Sequence, residues 1–584
     1  MKFINCILCQ TKDAGKRQNA HRRSNTLRGL QKTRLYLDGS LENPLMGAEG
    51  VSRRNSDCES LRQKDSEVEK DSVSVRITHI ALKSEHIVHG ILINRISWTF
   101  FVSGFLACSR KSMHKNAEKE QKEKKKEMET LETVMKVIES VVGHVNTFLW
   151  DYALLILLLG TGIIYSFSLK FIQVRKFGVG MKKMFGNFSL HGKNSENGLS
   201  SFQALATAIA AQVGTGNIAG AATAIASGGP GAIFWMWVSA FFGMATIYAE
   251  AVMAQHTRVK ENGVIIGGPV YYIKYIFKGK FGKFLAGFFS VAIILALGFM
   301  GNMVQSNSIG TSFETAFGIK PFYVGIVIAI IAAFIFIGGI NRIARVTEKV
   351  VPIMALIYII GCLVILGMNV QGVGKAFHDI FVAAFNPNAV LGGALGVTVQ
   401  KAMRFGVARG LFSNEAGMGS TPHAHATADV KHPGDQGIIA MMGVFIDTFV
   451  ILTLTALVIL STGALSSGKT ASALAQVAFD SAFGSFGKIF IAICMLFFAF
   501  TTIIGWYYFG EVNVKHLFGA KAVKIYAALV VLFVLVGSTL KVELVWDMSD
   551  MFNGLMVIPN LIAILASIPM VMKLSKEYEK LHKK

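Results

Sequence analysis

The chain has 584 residues, of which 52% are hydrophobic and 16% are charged, and its mean hydropathy is +0.48. Because soluble globular proteins carry about 25% charged residues, this composition excludes an ordinary soluble domain. Of the net charge of +22, residues 1–127 carry +10, and the basic residues of the remaining chain lie in alternate loops. Neither part forms a nucleic-acid recognition motif that the sequence identifies. We therefore predict a membrane protein without a nucleic-acid partner.

Residues 1–127 form a polar, basic extension with 25 Lys and Arg against 15 Asp and Glu. The extension lacks helical or strand periodicity over most of its length, which predicts disorder. Residues 87–108 are moderately apolar, but the polar and charged residues among them weaken the interpretation as a membrane span. One interpretation is that the functional chain begins near Met113 or Met128 and that the extension is not part of it.

Eleven apolar runs follow Met128, and each is long enough to cross a bilayer as a helix. These runs predict an all-α polytopic membrane protein. The predicted spans are 148–169, 202–226, 231–256, 284–303, 321–340, 350–368, 402–427, 437–462, 487–510, 524–540 and 551–572.

Lysine and arginine divide the connecting loops into two sets. One set of alternate loops, together with the tail 573–584, holds 23 of these residues, whereas the opposite set holds four. Cytoplasmic loops of membrane proteins carry an excess of Lys and Arg. The sequence therefore predicts a multi-pass protein of the cell membrane whose lysine-rich loops and C-terminus face the cytoplasm.

Ten of the spans divide into two groups of five, residues 202–368 and 402–572. Residues 128–201 precede them with one extra span and a cytoplasmic loop, and 369–401 is predicted to be an extracellular connection. Because each group has an odd number of spans, the second group crosses the membrane in the opposite direction to the first. This arrangement is the inverted repeat of many secondary transporters.

Each group opens with a span that contains residues poorly suited to a membrane helix. The first reads QVGTGNIAG (212–220), and the second reads ARGLFSNEAGMGSTPHAHA (408–426). An interrupted helix frees N–H groups, which suit a carboxylate, and C=O groups, which suit a cation. Two interrupted helices in corresponding positions predict a binding site between them for a small zwitterion taken up with a cation.

The glycines of the first motif have two other interpretations. A dinucleotide-binding loop would need a preceding strand in a soluble βαβ unit, and this motif lies within a span. Gly216 and Gly220 could instead form a GxxxG pair that packs against another helix, and this alternative stays open.

Two longer stretches, QVGTGNIAGAATAIASGGPGAIFWMW (212–237) and ARGLFSNEAGMGSTPHAHATADVKHPGDQG (408–437), closely resemble the alanine/glycine:cation symporter family. The similarity covers roughly residues 135–575 and does not extend to the basic extension. It implies a leucine-transporter-like fold, with a 5+5 inverted repeat after one extra helix. It also implies uptake of alanine or glycine with Na⁺ as the coupling ion, without enzymatic activity and without a further cofactor.

The resemblance implies a substrate site between the two interrupted helices. Its residues are Gly214, Thr215, Gly216, Asn217, Gln305, Phe412, Ser413, Asn414, Glu415 and Trp506. The four from the first helix would hold the carboxylate and part of the surroundings of the ammonium group. Those from the second helix would supply carbonyl groups and an aromatic wall, with Glu415 adjacent. Gln305 would add a polar contact from a third helix, and Trp506 would cap a pocket too small for a large side chain.

Alignment with leucine-transporter-fold proteins implies a sodium site beside this pocket. The carbonyl groups of Ala210 and Val213 would face the hydroxyl groups of Thr501 and Thr502, and Phe498 would offer its carbonyl group. A pair of threonines inside a span has a second explanation, since Thr often hydrogen bonds to the carbonyl group four residues earlier in its own helix.

Other charged residues within the spans have more than one interpretation. Glu415 could act in ammonium recognition or gating, or could be a structural acid bonded to N–H groups of the break. Asp447 and Glu250 could form a proton path or could pair with neighbouring polar groups. Arg404 and Arg409 precede the second break, and the sequence assigns them no partner.

The leading hypothesis is a secondary active symporter for a small neutral amino acid and Na⁺ in the lipid bilayer. Proton coupling is the alternative within transport, and it predicts an essential buried acid together with dispensable Thr501 and Thr502 hydroxyl groups. A sensor that binds the amino acid without moving it is a third hypothesis. A sensor would normally carry a signalling domain, and the only additional sequence here is the basic extension.

Overall fold

A computed structural model describes residues 125–126, 128–130, 132–186, 199–261, 263–391, 397–540 and 542–582. The predictions for the apolar stretch 87–108, and nearly all of those for the basic extension, lie outside the described residues.

Helices account for almost all of the described secondary structure. In chain order they are α1 (Leu154–Ser168), α2 (Ile172–Arg175), α3 (Phe177–Gly186), α4 (Ser201–Gln212), α5 (Ala221–Gly228), α6 (Gly231–His256), α7 (Pro269–Ile276), α8 (Gly279–Phe317), α9 (Pro321–Phe336), α10 (Gly339–Met368), α11 (Val370–Phe385), α12 (Pro387–Leu391), α13 (Val399–Asn414), α14 (Pro422–His425), α15 (Pro433–Ser461), α16 (Ala471–Phe483), α17 (Ser485–Phe518), α18 (Ala522–Gly537), α19 (Val542–Ala566) and α20 (Ile568–Leu581).

Several helices contain or adjoin wider, π-helical turns, and one short 3₁₀ helix covers Ala464–Ser467. The π-helical turns are Leu149–Ala153, Gly216–Gly220, Ile294–Gly301 and Phe445–Leu452. Strands β1 (Val259–Glu261) and β2 (Val264–Ile266) pair antiparallel as a short hairpin. The described part of the chain is therefore mostly helical rather than entirely helical.

Seven helices are long and apolar enough to cross a membrane, judged by length and composition over the described residues. They are Met128–Ser168, α6, α8, α10, α15, α17 and Leu544–Ala566 within α19. Helices α9 and α18 are apolar but shorter. The predicted spans 202–226 and 402–427 are each divided into two helices, α4 with α5 and α13 with α14.

The first interruption follows α4. A capping box fixes the start of this helix, since the Ser200 hydroxyl group accepts from the Gln203 N–H and the Gln203 side chain accepts from the Ser200 N–H. The helix ends at Gln212, because Val213 leaves the helical region with φ −80° and ψ 85°. The chain then passes through the π-helical turn Gly216–Gly220 into α5.

The second interruption follows α13. Glu415 takes the left-handed conformation with φ +57°, and Gly417 and Gly419 follow with φ +96° and +77°. A right-handed helix requires negative φ, so this stretch cannot continue the helix. Glycine adopts positive φ at little steric cost, which suits positions 417 and 419. Pro422 then starts α14, where its fixed φ suits the first helical position.

Several segments predicted to connect the spans contain helices, among them 170–201, 341–349, 369–401 and 463–486. The prediction of a loop at 341–349 is wrong because α10 begins at Gly339 and buries Ile343, Ala344 and Thr347 on one face of its first turns. The connection 369–401 contains α11 and α12. In α11 the buried residues recur at helical spacing, so the helix packs one apolar face against the protein without being a continuous apolar run.

Candidate functional site

The two interruptions lie directly against each other. A methyl group built at Gly216 would lie 2.8 Å from Ser413 Cα and 3.0 Å from Ser413 Cβ. At Gly220 the nearest atom to such a methyl group is the Thr215 carbonyl oxygen, 3.8 Å away. Only the first glycine of the GxxxG pair is therefore needed for close approach between the interrupted helices.

Asp447, in the π-helical turn of α15, joins both interruptions. Its Oδ1 accepts a hydrogen bond from Asn217 Nδ2 at 2.6 Å, and the Ser413 hydroxyl group lies 3.0 Å from each carboxylate oxygen. The Thr448 hydroxyl group donates to Oδ2 at 2.9 Å and accepts from Asn414 Nδ2 at 3.1 Å. All of these side chains are buried. Sequence reasoning left Asp447 outside the site, and its one signal was an acid within an apolar span.

The carboxyl group of Asp447 forms no ion pair with any described residue. Hydrogen bonds from neutral donors satisfy its oxygens, but they leave its negative charge without a counter-charge. Because a buried charge is costly unless it is paired, this carboxyl group favours a cation or an ammonium group nearby.

Gln305 contacts the first interruption. Its Oε1 accepts a hydrogen bond from the Thr215 N–H at 3.1 Å, whereas its Nε2 is buried without a hydrogen-bond partner among the described residues. The Thr215 hydroxyl group and Gln212 Oε1 are also buried without such a partner. Each unmatched buried group costs about 1–3 kcal/mol. Two of these three groups are donors that could bind a carboxylate.

Phe412 and Trp506 pack against each other as an aromatic wall beside the second interruption. Their rings contact edge to face with centroids 5.6 Å apart, and both side chains are buried. Trp506 Nε1 donates to Glu415 Oε1, and the Ser420 hydroxyl group donates to Glu415 Oε2 at 2.5 Å. Glu415 therefore holds the indole ring in place.

Glu250 on α6 takes the N–H groups that the second interruption frees. Its carboxylate oxygens each accept at 3.0 Å, one from the Gly417 N–H and the other from the Gly419 N–H. Asn560 Nδ2 donates to the same carboxyl group at 2.6 Å and to the Gly417 carbonyl oxygen at 2.9 Å. The interpretation that Glu250 pairs with backbone groups is confirmed, and the alternative that Glu415 takes the N–H groups is wrong.

The residues of the predicted sodium site are only partly brought together. The Thr502 hydroxyl group lies 2.9 Å from the Ala210 carbonyl oxygen and 3.0 Å from that of Phe498. Thr501 instead bonds to the carbonyl groups of Phe497 and Phe498 within its own helix. Val213 is the residue that directly follows α4. Three oxygens from two helices thus meet at Thr502. Its bond to Phe498 is also the within-helix bond of the alternative explanation, and Thr501 bonds to carbonyl groups only within its own helix.

Both arginines of α13 have acidic partners. Arg404 pairs with Asp151 at 2.9 Å, and Arg409 binds Asp550 through two hydrogen bonds of 2.8 Å. The Arg409 guanidinium group also lies 4.7 Å from the centroid of the Trp546 ring, which packs against the aromatic wall. These partners are far away in the chain, so the sequence alone could not assign them.

A family model described as the sodium:alanine symporter family matches residues 135–584. The chain belongs to this family. Sodium/alanine symporter AgcS of Methanococcus maripaludis is 42% identical over 453 residues, which cover 76% of this chain and 98% of AgcS.

Other relatives of the sodium:alanine symporter family are similarly close. An uncharacterized transporter of Haemophilus influenzae is 41% identical over 76% of this chain and 96% of its own length. The probable sodium/glutamine symporter GlnT of Bacillus subtilis is 40% identical over 76% of this chain and 91% of GlnT. A solved structure of MhsT in complex with L-phenylalanine is 14% identical, with a TM-score of 0.47 over 65% of this chain and 100% of that chain.

Membership in the sodium:alanine symporter family establishes the general activity. The protein is a multi-pass membrane transporter that carries an amino acid together with a cation, and it is not an enzyme. The region where the interrupted helices touch is a candidate site for binding the amino acid and the cation.

Proposed function

We propose that the protein takes up alanine or glycine together with Na⁺ by alternating access, and that the substrate binds where the two interrupted helices meet. The main support is the close approach of Gly216 and Ser413, beside which buried polar groups lack partners within the described chain. An amino acid carries a carboxylate, which accepts hydrogen bonds, and an ammonium group, which donates them, and such a site needs both.

The substrate carboxylate would bind to the first interruption. Gln305 Nε2 and the Thr215 hydroxyl group are buried donors without a partner in the described chain. The N-terminal end of the following helical turn adds a favourable dipole. Together these groups provide the donors that a carboxylate requires.

The substrate ammonium group would lie toward the second interruption. The carbonyl end of α13, at Phe412, Ser413 and Asn414, offers acceptors, and Asp447 offers an uncompensated negative charge. The ammonium group has three donors and one positive charge, so it complements both features. The buried Phe412 and Trp506 rings favour a small side chain.

We further propose that Na⁺ binds beside Thr502. Hydroxyl and carbonyl oxygens are the ligands that hard cations prefer, and the carbonyl oxygens of Ala210 and Phe498 each lie within hydrogen-bonding distance of the Thr502 hydroxyl group. The remaining predicted ligands are Val213 and Thr501. Because Gly214 packs against the side chain of Thr502, cation and substrate would bind next to each other.

The proposed transport cycle depends on eleven spans arranged as an inverted repeat, 202–368 and 402–572, after one extra helix within 128–201. The C-terminus would face the cytoplasm, as the distribution of Lys and Arg predicts. The division of both opening spans into two helices supports this organisation, since such helices occupy corresponding positions in the two repeats.

Uptake into liposomes tests the proposal directly. Purified protein is reconstituted, and labelled alanine accumulation is measured with an imposed Na⁺ gradient, with glycine and glutamine as competitors. We expect accumulation driven by Na⁺ and inhibited by glycine more than by glutamine. Stronger competition by glutamine would contradict the small pocket, and saturable binding without accumulation would favour a sensor.

The variant Thr502→Ala is expected to weaken the Na⁺ dependence of uptake more than it weakens alanine binding at saturating Na⁺. The loss of one oxygen ligand should raise the half-maximal Na⁺ concentration by roughly 10–100-fold, the range seen when groups around a metal are removed. Thr502→Ser keeps the oxygen and serves as the control. Equal losses of Na⁺ dependence and alanine binding would count against the cation site.

Proton coupling remains the second candidate, because Glu250, Glu415 and Asp447 are buried carboxyl groups without an ion-pair partner among the described residues. Under this alternative, an imposed proton gradient would drive alanine accumulation in sodium-free buffer. Thr502→Ala would then leave the rate unchanged, whereas neutralising the responsible carboxyl group would abolish it.

A further inference from the structure

A groove of about 620 Å³ lies between α9, α17 and α18, away from the interrupted helices. Its walls are mostly apolar, with one acidic and one basic side chain. The lining residues are Ala333, Phe336, Ile337, Gly339, Tyr507, Glu511, Val523, Lys524, Ala527, Ala528 and Val531.

Glu511 is the polar group inside this groove. Its Oε2 is buried and has no hydrogen-bond partner among the described residues, although the Tyr507 side chain lies close to the same carboxyl group. An unmatched buried carboxylate oxygen is unfavourable, and only a donor can satisfy it. A ligand of the groove should therefore carry N–H or O–H groups and, preferably, a positive charge.

Lys524 supplies the opposite charge at the groove, and its side chain is exposed. Exposed apolar side chains surround the same end of these helices, including Phe334, Ile337 and Ile525, which are 67%, 83% and 66% exposed. In a membrane protein such side chains face lipid. The groove therefore combines an apolar wall with a pair of opposite charges.

We propose that this groove binds a phospholipid with an ethanolamine headgroup. The primary ammonium group would donate to Glu511 Oε2, the phosphate would pair with Lys524, and an acyl chain would lie along Phe336 and Val531. A choline headgroup carries the same charges, but its quaternary nitrogen has no N–H to donate. The groove therefore distinguishes two lipids of equal net charge.

Native mass spectrometry of the purified full chain tests this proposal, with dioleoyl phosphatidylethanolamine and dioleoyl phosphatidylcholine supplied at equal concentration. We expect the ethanolamine lipid to be retained about tenfold more than the choline lipid, the ratio that one hydrogen bond to a charged group supplies. Glu511→Gln should remove this preference, and Lys524→Gln should weaken retention of both lipids.

Matched controls are Glu577→Gln and Lys521→Gln, exposed residues that are not among those lining the groove. Both controls should keep the wild-type lipid preference. Equal retention of the two lipids by the wild-type protein, or a preference that survives Glu511→Gln, would overturn the proposal. Lipid retention is measured without transport, so neither result depends on the proposed substrate.

Discussion

Replacing Gly216 by alanine is expected to abolish amino-acid uptake, whereas the same change at Gly220 should leave uptake close to the wild-type rate. The added methyl group at Gly216 would lie 2.8 Å from Ser413 Cα, which is too close for two carbon atoms without a shift of the backbone. At Gly220 the nearest atom is 3.8 Å away, an ordinary contact. The two variants have the same chemical change and lie one helical turn apart.

We expect overpacking in Gly216→Ala to lower the free energy of unfolding by about 1–3 kcal/mol. The strain arises where the two interrupted helices contact each other. Gly220→Ala should leave stability unchanged or raise it slightly, because alanine favours a helix. The measurement is initial alanine uptake in liposomes, with thermal unfolding of each variant as the control for folding. Equal uptake by the two variants would mean that close approach of the interruptions is not required.

Asp447→Asn is expected to raise the KM for alanine by about 10–100-fold, which corresponds to the loss of a hydrogen bond to a charged group. The carboxylate accepts from Asn217, Ser413 and Thr448. An amide in its place accepts through only one atom and turns its own N–H groups toward these donors. The Thr448 hydroxyl group cannot easily reverse its role, since it already accepts from Asn414.

The substitution Asp480→Asn is the matched control for Asp447→Asn. Asp480 pairs with Lys488 at 3.2 Å, and both side chains are about one-third exposed, so the pair contributes little to stability. Alanine KM at saturating Na⁺ is compared in both variants, together with thermal unfolding. A folded Asp447→Asn protein with the wild-type KM would exclude Asp447 from substrate binding.

The sequence predicted the interrupted helices because glycine, proline and polar residues leave a strong signal inside an apolar run. The role of Gln305 in binding substrate stays a prediction, although its side chain bonds to Thr215 at the first interruption. Short-range backbone preferences determine where a membrane helix stops, and these preferences are local properties of the chain. The helical start of α10 was missed because its charged residues concealed the buried stripe at Ile343 and Thr347.

Only the tertiary structure decided which groups meet. Asp447 contacts Ser413 from 34 residues away, and Glu250 reaches the Gly417 N–H across 167 residues. The Thr502 hydroxyl group reaches the Ala210 carbonyl group on another helix, whereas Thr501 bonds to carbonyl groups only within its own helix. Hydropathy measures how well a segment suits the bilayer, but it does not specify helix rotation or which neighbour a polar side chain faces. Those contacts depend on packing between helices. That packing places Asp447 against both interruptions and Glu250 against the second.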